Sequence, residues 1–170
     1  MKIIKSLFIT LTLIIGFSQA KAQDAASGAI HNVLNAYYGV KNALADDNSS
    51  AAQGKAKELF AAINAVPVDK LNSDQHKLWM AYTDKLQFDS RHISESTAIA
   101  HQREHFTSLS KNMYDVIKGL KLNSAIVYEQ YCPMQKATWL SETATINNPY
   151  LGKKMETCGR TTATLNSFGK

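Results

Sequence analysis

The sequence predicts an all-α fold: a four-helix up-and-down bundle with an irregular C-terminal cap rich in Cys, Met and aromatic residues. Apolar residues recur at spacings of three and four through four segments between Ala29 and Leu120, and short polar links join these segments. Beyond about residue 122 that period stops, and prolines, glycines, both cysteines and three of the seven tyrosines crowd the remainder.

The first 22 residues read as a cleavable signal peptide. Lys2 and Lys5 make a basic start, an apolar run follows to Phe17, and Ala20-Lys21-Ala22 supplies the small-x-small pattern that a signal peptidase accepts. Lys5, Ser6, Thr10 and Thr12 interrupt the run, which makes it short and polar for a membrane span. No cysteine near the cleavage point offers a lipid anchor. The expected product is a periplasmic or secreted protein without membrane insertion. Its residues 23–170 form a single helical domain, with the bundle over about 28–122 and the cap over about 123–160. Losing the leader's three lysines takes the formal charge from +5 to +2. With no basic stripe interleaved with aromatics, nucleic acid is not an expected partner.

In the first helix, over 29–45, Ile30, Val33, Leu34, Tyr37, Tyr38 and Leu44 share one face. Asp46 to Ser49 read as a break, and Ser49 or Ser50 can cap a second helix with Ala52, Ala56, Leu59, Phe60 and Ile63 inward. Pro67 stops it. Asn72 or Ser73 caps a third helix that turns Leu78, Trp79, Tyr82 and Leu86 inward and runs to about Ser90. The fourth, over 94–120, carries Ile99, Gln102, Phe106, Leu109, Met113, Val116 and Leu120 as a seam with one polar member. In the tail, Ile126, Val127, Tyr128 and Tyr131 favour extended backbone, while Pro133 and Pro149 block helix interiors.

Four sulfur side chains stand in two short clusters, Cys132-Pro133-Met134 and Met155-Glu156-Thr157-Cys158. Thiolate with thioether is the soft donor set that selects Cu(I). A helical turn over 153–158 would put Met155 and Cys158 on one face. An exported chain with two cysteines also suits a Cys132–Cys158 disulfide, which would contribute about 3 to 4 kcal/mol by constraining the unfolded chain. Both alternatives require the cysteines to be close. His101 and His105 are four apart on the fourth helix, a spacing that can hold one metal, although the order His-Gln-Arg-Glu-His is not that of a zinc protease. His31, His76 and His92 read as single surface or interface histidines. No nucleophile elbow, phosphate loop or dinucleotide fingerprint is present, so no enzyme is expected.

Tyr131-Cys132-Pro133-Met134, Trp139-Leu140-Ser141, Ile146, Asn148-Pro149-Tyr150, Gly152, Met155 and Cys158-Gly159, together with Gln102-Arg103, Phe106 and Leu109-Ser110, resemble the family called domain of unknown function 3347. That family occurs as short exported proteins and as a C-terminal extension of periplasmic adaptors of copper- and silver-type efflux pumps. The resemblance implies a role in envelope metal handling, with an efflux component as partner and copper(I) or another soft ion as cargo. It makes Cys132, Met134, Met155 and Cys158 the candidate ligands, with His105 a further one. The other reading is a disulfide-stapled protein-interaction module without metal.

Overall fold

A computed structural model describes residues 2–168, with side chains from Gln23 onward. The signal-peptide expectation for residues 1–22 concerns side chains outside that description. Four helices follow in order: α1 (Lys2–Ala45), α2 (Ser49–Asn64), α3 (Ser73–Glu95) and α4 (Ile99–Leu120). Each packs on its neighbour in sequence, as short connections between antiparallel helices dictate. Among the described residues no helix is long and apolar enough to cross a membrane.

Local chemistry accounts for the helix ends. Asn48, rather than either following serine, caps α2 by accepting the Ala51 N–H at 2.9 Å. Asn72 and Gln75 close a reciprocal capping box at the start of α3. That helix runs five residues past the expected end at Ser90, and α4 starts at Ile99 instead of Ser94. The buried amide of Gln102 explains the position of this corner. It donates among the carbonyls of Ser49, Ile93 and Ser96 at 3.1, 3.3 and 2.7 Å, and those of Ile93 and Ser96 are among the groups that the end of α3 leaves unpaired.

The tail corrects the all-α expectation. Strands β1 (Val127–Cys132), β2 (Ala137–Ser141) and β3 (Arg160–Leu165) form an antiparallel sheet in the order β2-β1-β3. Tyr128 pairs with Ser141 and Cys132 with Ala137, while Tyr131 pairs with Arg160 across a ladder whose register slips between Glu129 and Gln130. The result is a mostly helical domain with a small sheet rather than a bundle with an irregular cap. The physical reason lies in the backbone. A tail pressed on a bundle buries N–H and C=O groups, and ladder pairing is how extended chain satisfies them. β-Branched and aromatic residues in β1 and β2, with a turn at Lys136 in the left-handed region (φ 52°), supply the hairpin.

One hydrophobic core joins helices and sheet. Tyr37, Trp79, Phe106, Trp139 and Leu140 are fully or almost fully buried in it, and Phe106 stacks on Tyr37 at 5.2 Å. The Tyr37 hydroxyl lies 2.7 Å from Ser110 Oγ on α4 and accepts the Leu140 N–H of β2 at 3.1 Å. Burial holds this phenol well above its ordinary range. Lys41, 2% exposed, ends at Glu142 just beyond β2, 2.7 Å away. Tyr37→Phe keeps the ring and removes the hydroxyl, leaving the buried Leu140 N–H without a partner. We expect a loss of about 1 to 3 kcal/mol in the denaturant-extrapolated unfolding free energy, and an unchanged value would show that the junction is not structural.

Candidate functional site

The loop between β2 and β3 is organised by Asn148, a fully buried side chain. Its carboxamide oxygen accepts the N–H groups of Tyr150 and Leu151 at 2.9 and 3.2 Å, and its NH2 donates to the Cys158 carbonyl at 2.6 Å. Cys158 in turn donates its N–H to the Met155 carbonyl at 3.1 Å. Residues 153–158 are therefore not the helix the sequence suggests: a 3-10 turn ends at Lys154, and Met155 leaves the helical region at φ −149°, ψ 52°. The tight turn still keeps Met155 and Cys158 close in the chain's path.

The sheet register brings the two sulfur clusters to one end. Because Arg160 pairs with Tyr131, the chain before it passes alongside Cys132 and the β1–β2 turn that carries Met134. Gly159 sits so close to the Tyr131 carbonyl and the Trp139 ring, at φ 153°, that any side chain there would crowd both. Both cysteines are free thiols: Cys132 is fully buried and Cys158 half-buried. Met134 and Met155 are 59% and 39% exposed. Burying a methionine is worth about 1.5 to 3 kcal/mol, and these two forgo much of it. Cys132 lies near Tyr150, whose phenol burial holds well above its ordinary range, with Cys132 acting in the same direction.

His105 stands apart from the sulfurs, on a cleft between α4 and the β1–β2 hairpin. The cleft has a volume of about 560 Å³ and is also lined by Phe88, Asp89, Lys111, Lys136 and Thr138. His105 Nδ1 is 3.0 Å from Asp89 Oδ1. Its ring stacks on His92 of α3 at 4.6 Å and meets His101 edge-on at 4.7 Å. The one-turn spacing of His101 and His105 was legible in sequence, whereas His92 joined them only because α3 and α4 pack in this register. Among the described residues no three His, Cys, Asp or Glu side chains stand ready to enclose a metal ion.

Other residues of the recognisable pattern hold the molecule together. Arg103 donates to the Pro149 carbonyl at 2.7 Å, the Leu44 carbonyl at 2.8 Å and Asp47 Oδ1 at 2.6 Å. Asp47 Oδ2 accepts the Lys153 N–H at 3.0 Å. This pair ties the end of α1, the α1–α2 turn and the sulfur loop to α4. Gly152, at φ 59°, lies where any side chain would collide with the Asp47 carboxylate and the Arg103 guanidinium.

Over residues 33–125 the chain matches the family described as protein of unknown function (DUF3347), and it belongs to that family. The matched span holds the end of α1 and all of α2, α3 and α4, with His92, His101 and His105; the sulfur-bearing tail follows it. No curated protein and no solved structure matches the chain.

The hydrogen bond from Arg103 holds the Asp47 carboxyl below its ordinary range. Burial pushes Glu142 upward, but Lys41 and neighbouring donors outweigh it and leave that carboxyl lowered as well. Both groups bind fewer protons folded than unfolded, so their stabilisation is present at neutral pH and lost as pH falls through and below the carboxylate range, about pH 4. Urea midpoints should fall on acidification from about pH 7 to about pH 3, and Asp47→Asn should flatten that slope. An unchanged slope would remove Asp47 from the account.

Proposed function

We propose that this protein is an exported, metal-associated module of the cell envelope that holds copper(I) or a similar soft ion through Cys132, Met134, Met155 and Cys158. One observation supports the reading: the pairing of Tyr131 with Arg160 leads the chain after Cys158 to the end of β1 that holds Cys132, with both cysteines unbridged and Met134 and Met155 exposed in the adjoining turns. Thiolate and thioether donors favour soft ions over harder ones. In this reading Met134 and Met155 give a surface entry, Cys158 a half-buried donor and Cys132 a fully buried one. Export rests on the basic, apolar, small-residue pattern of residues 1–22, and an efflux component of the envelope is the proposed partner.

The chemistry assigned to these residues is capture and release, with no covalent step. Exposed methionines are flexible and polarizable, suited to taking an ion from one donor and passing it on. Reduced full-length protein should take up one Cu(I) in competition with a chromogenic chelator. A Met134→Leu, Met155→Leu variant, close in volume, should weaken uptake by about tenfold or more. No stoichiometric binding, or binding indifferent to this variant and to Cys158→Ser, overturns the proposal. Intact mass measured on envelope-extracted protein with and without reductant addresses the rival: a reducible Cys132–Cys158 bridge would favour a stapled interaction module instead.

A further inference from the structure

The histidines of α3 and α4 carry chemistry that the sulfur group does not use. His92, His101 and His105 come from two packed helices, and their rings lie at centroid separations of 4.6 Å (His92 to His105) and 4.7 Å (His101 to His105). Each Nδ1 faces an oxygen. His92 Nδ1 is 2.9 Å from the Phe88 carbonyl, His105 Nδ1 is 3.0 Å from Asp89 Oδ1, and His101 Nδ1 is 3.4 Å from Glu104 Oε2. Carbonyl and carboxylate oxygens only accept, so the Nδ1 atoms of His92 and His105 carry the hydrogen. In the neutral ring that leaves the Nε2 lone pair for a ligand.

A carboxylate or backbone carbonyl on Nδ1 is the arrangement that orients metal-bound histidines and raises their basicity. Asp89 fits that role: its side chain is 6% exposed and its hydrogen bond goes to His105. His105 is itself only 15% exposed, whereas His101 is 47% exposed at the surface. The aromatic neighbour Phe88, 49% exposed, sits 4.1 Å from the His92 ring and covers one flank. In the conformation described, the donors do not yet enclose a common point. Rotation about the side-chain torsion of an exposed imidazole crosses a broad, shallow profile, so His101 can turn at little cost.

We propose that His92, His101 and His105 form a binding site for a borderline divalent ion such as zinc, with Asp89 as the group that orients His105. Imidazole nitrogen suits zinc, nickel and copper(II), while the thiolate and thioether donors of the tail suit copper(I). The site is independent of the sulfur group and stands or falls without it.

The test titrates chelator-stripped full chain with Zn2+ by calorimetry and records the imidazole nitrogens by long-range nitrogen-15 NMR. The expected result is one zinc per chain, with the Nε2 signals of His92 and His105 moving while Nδ1 stays protonated. His101→Ala, at the surface, should weaken binding by about tenfold or more and leave the thermal midpoint of the metal-free protein unchanged, and His92→Ala, at a half-buried position, should weaken binding at least as much. Met134→Leu, Met155→Leu should leave zinc affinity as it is. Absence of zinc binding, affinity unchanged in both histidine variants, or zinc lost on Cys158→Ser would each overturn the proposal.

Discussion

The buried hydroxyl of Tyr37 holds three elements at once. Its ring belongs to α1 and stacks on Phe106 of α4, while its oxygen meets Ser110 of α4 and the Leu140 N–H of β2. A polar group removed from water is costly unless paired, so the bonds that satisfy this hydroxyl also dictate where the sheet can sit. A three-stranded sheet is too small to keep a core of its own, and its buried residues Val127, Cys132, Trp139 and Leu140 share the core of the helices. Displacing β2 would therefore expose apolar surface and orphan a hydroxyl together.

Polar residues taken into the interior serve the same purpose. Gln102 gathers carbonyls at the corner between α3 and α4, and Arg103 spends its donors on two carbonyls and a carboxylate from separate parts of the chain. Lys41 passes through the interior to reach Glu142. The Lys41–Glu142 pair links α1 to the tail, and the Asp47 carboxylate that Arg103 holds also accepts the N–H of Lys153 from the tail. The cleft beside His105 lies between α4 and the β1–β2 hairpin, so its shape depends on this docking.

The metal chemistry proposed for this scaffold divides by donor softness. The candidate sulfur donors lie at the end of β1, in the β1–β2 turn and in the loop before β3, which the pairing of Tyr131 with Arg160 and the turn at Asn148 lead to the same end of the sheet. The imidazoles lie on helices, where rigid backbones set their separation. Two sites of different hardness on one small domain would respond to different ions, or to two oxidation states of one metal.

The period of three and four in the sequence was sufficient to locate all four helices, because an amphipathic helix must repeat its apolar residues to bury one face. Asn72 as a cap, the residues of the core seam and the clustering of Cys and Met were likewise legible, since they depend on neighbours a few positions away. The sheet was not. Extended preference in Val127 to Tyr131 is local, but pairing with Arg160 to Leu165 is a contact across some thirty residues that no spacing encodes. The same limit hid His92, thirteen positions before His105 on a different helix, and concealed that Gln102 and Arg103 are structural clamps. Sequence determined which segments would bury a face and which donors were available; only tertiary packing decided which backbone groups needed partners and which side chains met, because burial is a property of the assembled chain.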